Sequence, residues 1–155
     1  MVYLAYKNTM HDTILIWPFT PADLTESDQL LEVLSALTEV SDITPEKRAA
    51  MAQVLAHDPY YIFLATENDT IVGTITLLVE QKIARGGALC GHLEDVSVHT
   101  NHQGKGIGGK LITRVVEKAR ELGCYKAILD CNDTNVGYYE KFGFRKVENC
   151  MRIDL

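Results

Sequence analysis

The sequence predicts a protein of the α/β (α+β) class, with one mixed, mostly antiparallel central sheet that contains a splayed parallel strand pair and is flanked by helices. Three observations carry this expectation. Residues 60–67 and 71–80 are β-branched and aromatic runs joined by Asn68-Asp69-Thr70, the pattern of an antiparallel hairpin. Residues 93–98 read as a strand, a glycine-rich stretch follows, and a helical stripe over 107–122 leads to a further apolar run at 125–130. A strand that returns through a helix lies parallel to its predecessor with a right-handed crossover. Third, 155 residues that are 46% hydrophobic suffice for one domain with a single core and leave no room for a second.

Residues 1–12 are expected to be a flexible N-terminal segment, and the apolar run at 2–6 is too short for a signal-peptide core. Residues 13–18 form a short first strand. Pro21-Ala22-Asp23 and Ser27 stand where a helix starts, and Leu30, Leu34 and Leu37 share one face, so a first helix should end near Thr38. Thr44-Pro45-Glu46-Lys47 supplies an N-cap, a proline at the first helical position and an acidic first turn, which predicts a second helix over 46–57, stopped by Asp58-Pro59. After the hairpin, 81–91 with Gly86-Gly87 is expected to be a loop. In the strand over 93–98 the alternation slips: Leu93 is apolar at an odd position, Val96 and Val98 at even ones. A one-residue slip exchanges the faces, and a β-bulge near Glu94-Asp95 repairs it while splaying the strand from its neighbour; an Asp95 that merely faces solvent is the alternative.

In the helix over 107–122, Ile107, Leu111, Val115, Ala119 and Leu122 form an apolar stripe widened by Ile112 and Val116, and Gly123 closes it. Residues 125–130 form the parallel strand. Residues 135–141 are a short helix ended by Gly143. A last strand is expected over 144–154, with Met151, Ile153 and Leu155 on one face and Arg152 and Asp154 on the other.

The junction Gln103-Gly104-Lys105-Gly106-Ile107-Gly108-Gly109-Lys110 carries the chemistry. Glycines turn the backbone tightly, and the first helical N–H groups have no intrahelical partner and point outward with the positive end of the helix dipole, so a phosphate or pyrophosphate is the natural guest. Three kinds of loop share these letters. Gly104-x-Gly106-x-x-Gly109 is formally a dinucleotide fingerprint with Asp130 at about the expected distance, but five residues separate strand from first glycine and no second nucleotide-binding half fits after Asp130. Gly104 through Lys110 begins a nucleoside-triphosphate loop, but Leu111 stands where a magnesium-holding hydroxyl is required.

The third reading meets no such exception. Gln-x-x-Gly-x-Gly between strand and amphipathic helix resembles the pyrophosphate loop of the GCN5-related (GNAT) N-acetyltransferase superfamily. Leu93-Glu94-Asp95-Val96-Ser97-Val98, Gly123-Cys124-Tyr125-Lys126, Leu129-Asp130-Cys131 and Asn135-Val136-Gly137-Tyr138-Tyr139-Glu140-Lys141-Phe142-Gly143-Phe144 resemble, in order and spacing, its eukaryotic glucosamine-6-phosphate N-acetyltransferase branch. The resemblance implies a homodimer that transfers an acetyl group from acetyl-CoA to a sugar phosphate, with no metal, while the short N-terminal apolar run and the lack of a membrane-length stretch lead to the expectation of a soluble cytoplasmic protein. It implies Val96, Val98, Gln103, Gly104, Lys105, Gly106, Ile107, Gly108, Gly109, Asn135, Tyr139 and Lys141 as coenzyme contacts, and Tyr139, Glu94 and Asp130 as catalytic residues. It implies Thr38, Lys82, Arg85, Glu94, Asp95, Val96, Asp130, Arg152 and Asp154 around the acceptor. Asp154 stands where that branch commonly has a basic residue reaching the partner subunit's substrate, and Arg152, two residues earlier on the same face, is the candidate substitute.

A net charge of −6 and a pI near 5.3 argue against nucleic acid or an anionic membrane as partner. No apolar stretch approaches the roughly eighteen residues of a membrane span. Cys90, Cys124, Cys131 and Cys150 show no zinc-site spacing and are expected as small buried hydrophobes, while His99 and His102 read as ordinary loop residues. Beside the sugar-phosphate enzyme stand three competing readings: the same fold acting on a protein or polyamine amine, a non-catalytic acyl-CoA binder, and a dinucleotide-binding module.

Overall fold

The computed structural model describes residues 13–155; the expected flexible segment 1–12 lies outside the described residues. The elements are β1 (Leu15–Pro18), α1 (Ala22–Thr25), α2 (Gln29–Leu34), α3 (Pro45–Leu55), β2 (Tyr60–Glu67), β3 (Thr70–Gln81), a single turn α4 (Ala84–Gly87), β4 (Leu89–Val98), α5 (Ile107–Glu121), β5 (Cys124–Ile128) and α6 (Val136–Glu140). Five strands form one sheet in the order β1-β2-β3-β4-β5, antiparallel except for the parallel pair β4–β5. The expected mixed sheet is therefore present.

Alternation along β2 shows how the sheet serves two layers. Phe63 and Ala65 face α5 and join Val72, Ile75, Leu77 and Leu93 in one core, while Ile62 and Leu64 face the other way and pack with Leu24, Leu30, Val33 and Ala52 of α1 to α3. The predicted stripe of α5 supplies Ile107, Leu111, Ile112, Val115 and Ala119, all buried. Removing each of the four larger side chains from water contributes about 1.5–3 kcal/mol, which makes α5 the principal clamp on this sheet face. On the opposite face two polar contacts fix α2: the Ser97 hydroxyl donates to Val33 O at 2.6 Å, and Gln29 Oε1 accepts from the Ile71 amide at 2.9 Å.

Three expectations need correction. The first helix is two short ones, because Ser27 Oγ accepts from the Gln29 amide at 3.1 Å and starts a new turn instead of continuing the old; Leu37 consequently lies outside the core, half exposed. β4 begins at Leu89, within the segment expected as loop, since it is paired on both sides, with Gln81 of β3 and Cys124 of β5, and that pairing overrides a weak local propensity. Residues 144–154 do not form a strand. β5 is an edge of the sheet, among the described residues no strand pairs with its outer side, and Met151, Ile153 and Leu155 are exposed. Alternation without a ladder partner leaves backbone groups unsatisfied, so it does not by itself make a strand. The second helix agrees well: Thr44 Oγ1 accepts from the Lys47 amide and Pro45 occupies the first helical position.

Candidate active site

The phase slip in β4 is a bulge. Thr74 pairs with Ser97 and Thr76 with Glu94, so Ile75 alone faces Asp95 and Val96, and Asp95 takes the left-handed region at φ 51°. Pairing between β4 and β5 ends at His92 and Ile128, level with the start of the distortion. β5 itself ends there, so residues 93–98 of β4 run on toward the glycine loop without a β5 partner, which leaves a wedge beside them.

That loop is built from both ends. Gln103 Nε2 donates to Val98 O at 3.1 Å, which ties the loop back to the tip of β4. Gly104 and Gly106 have φ of 80° and 78°, and a methyl group at either would meet no atom within 4 Å; conformation, not space, requires glycine at these positions. Gly106 caps α5 with no side-chain hydrogen bond, so the first amides of a fifteen-residue helix remain available at the wedge. Gly108 and Gly109 have a different role from the close ligand approach their motif suggests. A Cβ at Gly108 would fall 2.7 Å from the Tyr138 hydroxyl, and one at Gly109 would fall 3.1 Å from the Phe142 ring, so these glycines let α6 lie against the first turn of α5. Lys105 is tied to the hairpin end, its ammonium 3.2 Å from Glu67 Oε2, an oxygen that also lies 2.9 Å from His102 Nδ1. Sequence reasoning missed Glu67, whose proximity depends on the hairpin end reaching the loop. His99 serves the turn, its Nδ1 accepting from the Asn101 amide.

Tyr139 is half-buried on α6, edge-on to Phe144 and Tyr138. Burial first, then Cys131 and Tyr138, pushes its phenol above the ordinary tyrosine range, which keeps the hydroxyl protonated and able to donate. Glu94 and Asp95 stand at the bulge. Partial loss of solvent raises both carboxyls; Asp95 and Asp130 raise Glu94 further, against a smaller lowering by His92. Glu94, Asp95, Asp130 and His92 thus share one electrostatic neighbourhood. Asp130 accepts a hydrogen bond from the Cys150 thiol, which pushes that thiol upward.

The remaining predicted residues fall into two groups. Asn135 and Lys141 bracket α6 and are exposed, and Val96 and Val98 are half-buried on the core side of β4. Lys82 and Arg85 lie at the other end of β4 from the loop: Lys82 Nζ is 2.6 Å from Glu80, which holds the lysine above its ordinary range, and the Arg85 guanidinium lies 5.0 Å over the Tyr125 ring. Ten residues of strand span about 30 Å, with Glu94 near the middle. Thr38 is exposed on the turn after α2, its amide bonded to Leu34 O. Arg152 and Asp154 pair with each other, both largely exposed, and are not brought to Glu94. A cleft of about 870 Å³ lies away from the loop, running between β5, α6 and residues 144–150, and shares Asp130 and Tyr139 with the group above.

A bulged strand, a wedge beside a parallel partner and an uncapped helix N-terminus are the features this fold shares with acetyltransferase domains that match it over most of their length. The chain belongs to the acetyltransferase (GNAT) family, whose profile matches residues 27–144. Among its relatives, a glucosamine 6-phosphate N-acetyltransferase of Schizosaccharomyces pombe is 45% identical over 58% of this chain and 83% of its own. One of Trypanosoma brucei brucei is 38% identical over 85% of this chain and 92% of its own. Among solved structures, a Trypanosoma brucei acetyltransferase superposes with a TM-score of 0.85 at 34% identity, covering 92% of this chain and all of that one. The glucosamine-6-phosphate N-acetyltransferase of Arabidopsis thaliana superposes with the same TM-score at 28% identity, over 92% and 99%. Among the described residues no helix is long and apolar enough to cross a membrane.

Proposed function

We propose that this chain transfers the acetyl group of acetyl-CoA to the 2-amine of glucosamine 6-phosphate, giving N-acetylglucosamine 6-phosphate and free CoA by direct attack in a ternary complex. The observation that carries the reading is the alignment of three features along β4: open helical amides at one end, paired carboxylates at the bulge and cations at the other end. Gln103 to Gly109 would hold the coenzyme's diphosphate, with Val96 and Val98 along its arm and Asn135 and Lys141 at its flank. Acetyl-CoA supplies a thioester carbonyl and a thiolate leaving group.

Glu94, with Asp130 nearby, receives the acceptor's ammonium; its raised carboxyl is a better proton acceptor than an ordinary one. The freed amine forms the new C–N bond, the C–S bond breaks, Tyr139 donates its proton to the departing sulfur, and the second proton shed by the nitrogen as it becomes an amide returns through solvent to the phenolate. Holding the two reactants in line is worth roughly 7–11 kcal/mol, more than the roughly 3–5 kcal/mol of a single acid or base, so positioning by β4 dominates. Asp95 and Val96 border the acceptor, Lys82 and Arg85 meet its phosphate, and Thr38 borders it from the turn after α2.

The same reading makes residues 1–155 one catalytic domain, cytoplasmic and homodimeric. Four free cysteines, two of them exposed, fit a reducing compartment. The edge of β5, which no strand among the described residues covers, and the exposed Met151, Ile153 and Leu155 favour a second copy, whose segment would carry Arg152 and Asp154 toward the acceptor. The test is CoA-thiol release with glucosamine 6-phosphate beside unphosphorylated glucosamine. A marked preference for the phosphorylated sugar supports the reading, equal rates remove phosphate recognition, and CoA binding without release to any amine makes the chain a silent binder. Light scattering decides the dimer.

A further inference from the structure

We propose that Glu80, Cys90 and His92 form a binding site for a divalent cation of the zinc class, on the sheet face opposite α5. The site is prescribed by register. Glu80 pairs directly with Cys90 across β3 and β4, and His92 lies two residues beyond Cys90, so all three side chains leave the same face. One ligand atom from each, a thiol sulfur, an imidazole nitrogen and a carboxylate oxygen, lie within 4.8 Å of one another. Tetrahedral bonds of about 2.0–2.3 Å set such donors on the order of 3.5 Å apart, a gap that side-chain rotation closes without moving the strands.

Two further observations point to a ligand. Cys90 is wholly buried, its thiol makes a long hydrogen bond of 3.9 Å to the neighbouring Gly91 carbonyl, and it lies close enough to Lys82 to act on that ammonium. Glu80 and His92 already share a contact of 2.8 Å between Oε2 and Nε2, with both side chains open enough to admit an ion. A set of sulfur, nitrogen and oxygen donors suits zinc, and poorly suits calcium or magnesium, which want oxygen alone. Cys124 is not a fourth ligand, because it packs into the α5 core on the other face. The fourth position is left to water.

The cluster now has a resident cation, since Lys82 Nζ sits 2.6 Å from Glu80. Metal entry displaces that ammonium from the carboxylate and sends the Cys90 thiol proton to water, so lysine and metal compete and affinity rises with pH. None of this depends on the transferase reading.

The test uses the full chain with Cys131→Ser and Cys150→Ser, which removes the exposed thiols, titrated with cadmium and then with zinc against a chromophoric chelator. One equivalent should bind with a thiolate-to-cadmium charge-transfer band in the ultraviolet. Cys90→Ser should abolish the band, Glu80→Gln and His92→Asn should each weaken binding at least about tenfold, and Lys82→Met should strengthen it several-fold. A band that survives Cys90→Ser, or an affinity indifferent to both His92→Asn and Glu80→Gln, overturns the site. Those two variants alter partly exposed side chains, so the answer does not rest on whether Cys90→Ser folds. Because binding is read optically, failure here leaves acetyl transfer untouched, and failure of acetyl transfer leaves the metal result standing.

Discussion

Gly108→Ala probes the contact on which the coenzyme loop rests. The new methyl carbon would stand 2.7 Å from the Tyr138 hydroxyl, closer than such atoms can approach, and 3.7 Å from Val98 Cγ2, an ordinary contact. Tyr138 is partly exposed, but its ring is edge-packed against Tyr139 and Phe142, each with centroids 5.3 Å away, and spinning the ring leaves the hydroxyl on its axis, so relief requires the whole ring to shift. Overpacking of this kind costs about 1–3 kcal/mol, while replacing glycine by alanine in a helix returns up to about 1 kcal/mol. The net expectation is a loss of about 1–2 kcal/mol, together with a raised KM for acetyl-CoA as the first turn of α5 shifts. Tyr138→Phe removes the offending oxygen, and the nearest ring atom left is Cζ at 3.8 Å. In that background Gly108→Ala should be neutral or stabilising by up to about 1 kcal/mol. Urea unfolding of the four proteins gives a double-mutant cycle with an expected coupling of about 1–3 kcal/mol. Equal destabilisation by Gly108→Ala in both backgrounds would refute the packing of α6 on this turn.

Other outcomes follow from the same geometry. Tyr139→Phe should lower turnover by at least about tenfold with little change in the KM for acetyl-CoA, whereas Tyr138→Phe should leave turnover nearly intact; steady-state thiol release separates them. Gly106→Ala forces a methyl group into a left-handed position at a cost of about 1–2 kcal/mol, read in urea unfolding and as weaker CoA binding by calorimetry, while normal affinity would show that the loop opens differently. Glu94 is raised in the folded protein, so its ionisation opposes folding: Glu94→Gln should be more stable than the parent at neutral pH. The gain should fade as pH falls through the ordinary carboxylate range, and a gain independent of pH in thermal melts would contradict the desolvation of this carboxyl.

Where the residues near one another in sequence decided the outcome, the fold was legible. The stripe of α5, the Thr44 cap and the hairpin at Asn68-Asp69 are local patterns, and each formed as expected. The slip between Leu93 and Val96 was legible for the same reason, and it located the bulge. What escaped was decided by partners far away in the chain. Alternation at Met151, Ile153 and Leu155 could not say whether a neighbouring strand exists, and the length of β4 was set by strands on both sides. In the site, the loop glycines and Tyr139 were readable as motifs. The tie between Lys105 and Glu67, thirty-eight residues apart, and the meeting of Glu80 with His92 were not, because both depend on cross-strand placement. The division of labour among the glycines was hidden as well, since nothing local marks Gly108 and Gly109 as seats for aromatic rings.

The left-handed residue at Asp95 makes β4 two half-strands of opposite parity. Up to Glu94, even-numbered positions lie on the sheet face opposite α5; past the kink, the odd-numbered Ser97 takes that side and anchors α2. A homologue shorter by one residue at this point would carry the same letters turned inside out, with carboxylates driven toward oily packing and valines toward solvent. Comparisons across this strand therefore need to count the kink before matching side chains, since a single gap placed one position off pairs residues that never occupy the same compartment.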